Sequence, residues 1–187
     1  MDSNWIIVEE LLKHAGQKPD KTALISGDRV LTYRELARHI RNVAAFFRQQ
    51  GVKKGDVVMF GATKDHLFPM AYFGAHLVGA IAAPFDLKIN REKFEYLFHK
   101  VDPAILLLPE SFSNEKANSL PLSMLEDLPD QELKDSIVPT PDDLADILFT
   151  TGTTGNPKGV MLTHRNITAG AVNTNIFIGN DHDDTEI

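Results

Sequence analysis

Three uninterrupted apolar runs constrain the fold of this chain more than any other feature: Val57-Val58-Met59-Phe60, Ala80-Ile81-Ala82-Ala83 and Ala104-Ile105-Leu106-Leu107-Leu108. None alternates polar with apolar side chains, so each suits a strand buried on both faces. The segments between them carry helical stripes. Asp65 is placed to cap a helix through Leu67, Met70 and Phe73 that ends at Gly79. Phe94, Leu97, Phe98 and Val101 recur at i, i+3, i+4 and i+7, and Asp102-Pro103 ends that helix. Strand–helix–strand–helix–strand order predicts an α/β fold, with a largely parallel sheet flanked by helices on both faces. Pro84 is expected to halt the second of these strands.

The segment before the first run reads as a helix followed by a hairpin. Trp5, Val8, Leu11 and Leu12 mark one face of a first helix, closed by Lys13, His14 and Gly16. Ala23-Leu24-Ile25-Ser26 and Arg29-Val30-Leu31-Thr32 flank the turn Gly27-Asp28. Thr32 and Glu35 form a capping-box pattern, and the helix behind them carries Leu36, Ile40, Val43 and Phe47 before stopping at Gly51. Residues 109 to 145 are rich in Ser, Asn, Pro and acid, and read as a polar excursion with one helix near Leu120 to Leu128. A strand Asp146 to Phe149, a loop, a second strand from Val160 and a helix from His164 follow. No internal repeat or interdomain linker interrupts residues 1 to 187, so no second domain is expected.

Composition narrows the class of partner. The 187 residues are 43% hydrophobic and 24% charged, as in ordinary globular proteins. Nineteen basic against 26 acidic residues give a formal charge of −7, which argues against nucleic acid or an anionic membrane. Cysteine is absent, so neither a disulfide framework nor a thiolate metal site is available. No apolar run reaches the ~18 residues of a membrane span, and the N-terminus lacks the basic start of a secretory signal. A cytoplasmic location is the expectation.

The chemistry concentrates in Thr150-Thr151-Gly152-Thr153-Thr154-Gly155-Asn156-Pro157-Lys158-Gly159-Val160. Glycine lets backbone N–H groups approach an oxyanion, threonine hydroxyls donate further hydrogen bonds, and lysine adds a mobile cation. A nucleoside triphosphate is the expected ligand. An acidic chain must hold such a polyanion with local groups and a divalent cation. The rival pattern is G-x-x-x-x-G-K-[ST], in which the loop feeds a helix. Here Pro157 replaces the glycine before the lysine and Gly159 replaces the hydroxyl after it. The following Val160-Met161-Leu162-Thr163 suits a strand, so this loop is expected to join two strands without a helix dipole. It would sit at the carboxyl edge of the sheet, where open α/β folds bind ligands.

This loop resembles the phosphate loop of the adenylate-forming (AMP-binding) enzymes, closest to the acyl-CoA synthetases and fatty acid–CoA ligases. That family usually writes Thr-Ser-Gly-Ser/Thr-Thr-Gly-x-Pro-Lys-Gly-Val, and Thr151 stands here at the usual serine. Leu31-Thr32-Tyr33-Arg34-Glu35-Leu36, Gly51-Val52-Lys53-Lys54-Gly55-Asp56-Val57-Val58 and Gly79-Ala80-Ile81-Ala82-Ala83-Pro84 match in order and approximate spacing. The resemblance implies that a carboxylate attacks the α-phosphate of Mg2+-bound ATP, pyrophosphate leaves, and the thiol of coenzyme A takes the acyl group. It assigns the departing phosphates to Thr150, Thr151, Gly152, Thr153, Thr154, Gly155 and Lys158. It further implies that residues 1–187 are a truncated N-terminal portion of the adenylating domain, with no catalytic residue and no metal ligand of its own. Such a portion would be inactive alone and prone to self-association through surface that other segments would cover. Thr163-His164-Arg165-Asn166 leans toward acyl-CoA synthetases. The alternatives are an adenylation domain of a peptide synthetase, and a non-catalytic α/β binding module whose Thr/Gly loop is incidental.

Other candidates take plainer readings. None of the seven histidines sets up an H-E-x-x-H pattern. His164, near the loop, is expected to make a local hydrogen bond at a helix start. The acidic end Asp181 to Glu186 lacks the spacing of a calcium loop and reads as a solvated connector. Lys53-Lys54 and the pair Arg91 and Lys93 read as surface charge.

Overall fold

The computed structural model describes residues 6–112, 119–133, 139–150 and 157–179. Helix α1 (Ile7–Gln17) leads into the antiparallel hairpin β1 (Thr22–Ser26) and β2 (Arg29–Thr32), turned at Gly27 with φ 59°. Trp5 of the expected first stripe lies outside the described residues. Helix α2 (Tyr33–Gln49) starts from the predicted capping box. Thr32 Oγ1 accepts from the Glu35 amide at 3.2 Å, and the Glu35 carboxylate accepts from the Thr32 amide at 2.8 Å. Two helix-start donors are thereby satisfied within one turn. Leu36, Ile40, Val43 and Phe47 are all buried, as their spacing requires.

Three parallel strands follow from the three apolar runs: β3 (Val57–Gly61), β4 (Ile81–Phe85) and β5 (Ile105–Leu108). With β6 (Ser119–Pro121), β7 (Leu144–Thr150) and β8 (Lys158–Thr163) they form one sheet in the order β6-β5-β3-β4-β7-β8. Only β8 runs antiparallel, against β7. Alternation divides the side chains between two cores. Val58, Phe60, Ala82, Ile105 and Leu107 face α2 and α3 (Leu67–Leu77), whereas Met59, Ala83, Phe85, Leu106 and Leu108 face α4 (Arg91–Val101). The mostly parallel sheet is therefore covered on both faces.

Helix starts and stops follow local chemistry. Asp65 Oδ1 accepts from the Leu67 amide at 3.0 Å, and Asn90 Oδ1 from the Lys93 amide at 2.9 Å. Asp102 closes α4 in the left-handed region at φ 45°. Pro84 does not halt β4, contrary to expectation. Ile81 donates to Asp56 O on the β3 side, so by alternation the missing donor of Pro84 faces β7. There it lies beyond the single β4–β7 pair, Ala82↔Asp146, and no ladder bond is lost. The helix expected near Leu120 to Leu128 is also corrected. Pro121 lies inside it and favours extended backbone at Leu120. The segment instead forms edge strand β6 and a 3₁₀ turn, Leu122–Leu125, whose Leu122 and Leu125 are buried one above the other.

Helices α2 and α3 meet at Gly74. A Cβ there would stand 2.4 Å from Val43 Cγ1 and 3.0 Å from Val43 Cβ. A helical valine is held to one rotamer, so it cannot turn aside. Gly74→Ala is expected to destabilise the fold by about 1–2 kcal/mol, the overpacking outweighing Ala's better helix propensity. Urea unfolding checks this, and an unchanged midpoint would contradict the close approach. Among the described residues no helix is long and apolar enough to cross a membrane.

Candidate phosphate-binding site

β7 and β8 are paired in register up to Thr150↔Lys158, where the loop leaves and re-enters the sheet. The Thr150 hydroxyl donates to Lys158 O at 3.4 Å. The two strands and the parallel sheet thus bring Thr150 and Lys158 side by side at the carboxyl edge, as expected. Both are exposed, and Lys158 has no ion-pair partner among the described residues. Thr151, Gly152, Thr153, Thr154 and Gly155 lie outside the described residues, as does the acidic end. Pro157 is buried at the loop's exit. Gly159 has a packing role: a Cβ there would lie 2.9 Å from Ile147 Cγ2 on the paired strand.

Beside this hairpin a cavity of about 210 Å³ opens over the ends of β4 and β7. Asp86 and Lys88 line it from the connection between β4 and α4, Asn90 and Lys93 from the start of α4, and Thr150 and Pro157 from the loop's two ends. Lys93, expected to be plain surface charge, is part of this wall. Two further cations therefore stand near Thr150, in reach of an anion that the chain's overall charge would repel. Among the described residues no three carboxylates or imidazoles converge to hold a metal ion.

The root of the hairpin holds residues that sequence reasoning missed. Asp146 is only 3% exposed, and it accepts from the Tyr72 hydroxyl at 2.8 Å and from His76 Nε2 at 2.9 Å. Burial first, then the Asp146 charge, pushes the Tyr72 phenol well above its ordinary value. His164, the first residue of α5 (His164–Ile178), stacks edge to face on His76 with centroids 5.0 Å apart. Its expected local hydrogen bond is not made: neither ring nitrogen has a partner among the described residues. Burial, then the neighbouring His76, pushes its pKa down to about 4. The signal available in the sequence was two polar rings, Tyr72 and His76, four apart on the otherwise apolar helix α3.

Below them Lys54 pairs with Asp143 at 2.6 Å, so Lys54 is more than loose surface charge. Hydrogen bonds from Lys54 and the Thr140 amide hold the Asp143 carboxyl down at about 2. Helix α5 starts from a second capping box, Thr163 with Asn166. Its outer face and β8 leave apolar side chains in solvent, among them Met161, Ile176 and Phe177, the last 92% exposed.

Comparison with known proteins gives a consistent result. The profile of the AMP-binding enzyme family matches residues 11–186. Vanchrobactin synthetase VabF of Vibrio anguillarum is 31% identical over 157 residues, which is 81% of this chain and 6% of that protein. Crotonobetaine/carnitine–CoA ligase of Salmonella arizonae is 31% identical over 182 residues, 82% of this chain and 35% of the ligase. Among solved structures, the Klebsiella oxytoca NpsA N-terminal subdomain in complex with 3-hydroxyanthranilyl-AMSN superposes with a TM-score of 0.76 at 25% identity. That match covers 86% of this chain and 41% of the NpsA chain. The chain thus spans well under half the length of each of these relatives.

Proposed function

Because the chain belongs to the AMP-binding enzyme family, whose members form adenylates, we propose that it carries the phosphate-gripping part of a site that activates a carboxylic acid with ATP. The observation that carries this is the β7–β8 hairpin, which presents Thr150 and Lys158 together at the carboxyl edge beside the Lys88/Lys93 cavity. In the first step a carboxylate oxygen bonds to the α-phosphorus while the bond to the β-phosphate breaks. Pyrophosphate leaves and an acyl-adenylate remains. In the second step a thiolate attacks the acyl carbon and AMP departs. Such chemistry depends on positioning and charge neutralisation. Thr150, Thr151, Thr153 and Thr154 would give hydroxyls, Gly152 and Gly155 backbone N–H groups, and Lys158 its charge to the departing phosphates. Magnesium would neutralise the triphosphate further, and the described residues contribute no ligand set for it.

Coenzyme A is the acceptor we favour, in a cytoplasmic acyl-CoA synthetase of the kind that handles fatty acids. A carrier-bound thiol is the second reading, supported by the similarity to vanchrobactin synthetase VabF. Residues 1–187 would be the N-terminal portion of the adenylating domain, a reading supported by the small share of each relative that they span. The exposed Ile176 and Phe177 would then be covered by other segments, and the isolated chain would self-associate through them.

The test is pyrophosphate binding and acid-dependent ATP–pyrophosphate exchange by the 187-residue chain, run beside light scattering with a panel of carboxylic acids. We expect pyrophosphate binding, no exchange above background, and oligomers. Exchange from a monodisperse monomer would overturn the partial-domain reading. Failure to bind pyrophosphate would overturn the phosphate role.

A further inference from the structure

We propose that Tyr72 and His76 of α3 are positioning residues for Thr150 and Lys158 at the end of the β7–β8 hairpin, acting through the buried carboxylate of Asp146. The inference rests on the phosphate-binding reading of the β7–β8 hairpin. That hairpin is bound to the rest of the sheet at one backbone pair, Ala82↔Asp146. Between its own strands pairing continues through Asp146↔Leu162 to Thr150↔Lys158. The backbone pairing that sets the register of Thr150 and Lys158 against the sheet is therefore made at Asp146, and the pairing within the hairpin continues it outward.

Side chains support this attachment unevenly. On the α4 side, Ile147 and Phe149 pack against the Phe85 and Phe94 core. On the α3 side, Leu148 and Thr150 are exposed, so the Asp146 carboxylate is the last anchored group before the loop. Apolar contacts tolerate sliding, whereas two hydrogen bonds to one carboxylate fix distance and direction. A carboxylate only accepts, so His76 Nε2 must carry the proton it donates to Oδ1, while the Tyr72 hydroxyl donates to Oδ2. His76 and Asp146 are buried, with His76 at 0% exposure, and Tyr72 is half-buried beside them. Leaving Asp146 without its donors would strand a buried charge and free the root to shift. His164 closes the cluster from α5 through its edge-to-face contact with His76. The other charged groups facing it are Asp143 and Lys54, already paired with each other.

The test compares His76→Gln with His76→Leu in the 187-residue chain, reading pyrophosphate affinity and the backbone amide resonances of Thr150 and Lys158. Glutamine can still donate an N–H to Asp146, whereas leucine fills the space and donates nothing. We expect Gln to stay within about twofold of wild type, and Leu to lose about tenfold, because a displaced hairpin end weakens a charge-assisted contact to the ligand. The Thr150 and Lys158 amides should move in His76→Leu while those of α4 stay in place. Tyr72→Phe removes the other donor with least disturbance, and keeps the question open to measurement if His76→Leu does not fold; it should shift the same two amides. Unmoved amides with unchanged affinity in folded His76→Leu or Tyr72→Phe would overturn the proposal. Lys158→Ala serves as the separate control. If it binds pyrophosphate as wild type does, the phosphate reading fails, and the amide positions alone still decide whether α3 anchors the hairpin.

Discussion

Lys158→Ala is expected to weaken pyrophosphate binding by roughly ten- to a hundredfold while leaving the fold intact. Lys158 is exposed, sits opposite Thr150 at the end of the hairpin, and has no ion-pair partner among the described residues. Removing it thus breaks no ion pair among the described residues, and the loss is expected to fall on the ligand. A charge-assisted hydrogen bond to phosphate contributes about 1.5–3 kcal/mol, which sets the range. Lys88 and Lys93 line the neighbouring cavity and would retain part of the attraction. Calorimetric titration with pyrophosphate, paired with a urea unfolding curve, measures both quantities. Equal affinity in mutant and wild type would remove Lys158 from the site.

Acid is expected to destabilise the fold in two separate windows. The folded-state pKa of His164 is about 4 against an ordinary 6.5, chiefly because burial penalises its charged form. Between those values the unfolded chain takes up a proton that the folded chain refuses. Its contribution to stability is complete above about pH 6.5, declines as pH falls toward 4, and changes no further below that. The shift corresponds to a loss on the order of 3 kcal/mol. Asp143, held at about 2, acts lower down: its stabilisation is present above about pH 4 and is lost as pH falls through 2. Burial also lowers the pKa of His39 and His66, so the wild-type slope includes them. The difference between wild type and His164→Leu isolates His164. Urea midpoints at about pH 7 and about pH 4.5 should fall less in the variant. Parallel losses in the two proteins would show that His164 accepts its proton without penalty.

What could be read from the sequence was whatever local periodicity or local chemistry encodes. The capping box at Thr32 and Glu35 and the stripe Leu36, Ile40, Val43 and Phe47 gave α2 nearly residue by residue. The unbroken apolar runs gave β3 and β5 as strands buried on both faces, and the β-branched start after Lys158 gave β8. The elements misread depend on neighbours distant in sequence. Whether Pro84 ends a strand is decided by β7, whose backbone pairs with β4 at Ala82 and not at Pro84. Whether Leu120 to Leu128 forms a helix is decided by the free edge of β5, which captures Ser119 to Pro121 as a strand. For the site, Thr150 and Lys158 were legible because they are written in one short loop. The anchor beneath them was not, because Asp146 stands 70 residues from His76 and no spacing rule links them.

The most direct measurement compares Mg2+-ATP with Mg2+-AMP binding to this chain, with pyrophosphate as the reference ligand. A loop that holds the departing phosphates should bind ATP and pyrophosphate with similar affinity and AMP at least about tenfold more weakly, since AMP lacks the phosphates that make the charge-assisted contacts. AMP binding as tightly as ATP, or ATP binding unaccompanied by pyrophosphate binding, would place the chain's contacts elsewhere on the nucleotide and contradict the assignment of Thr150 and Lys158 to the phosphate end.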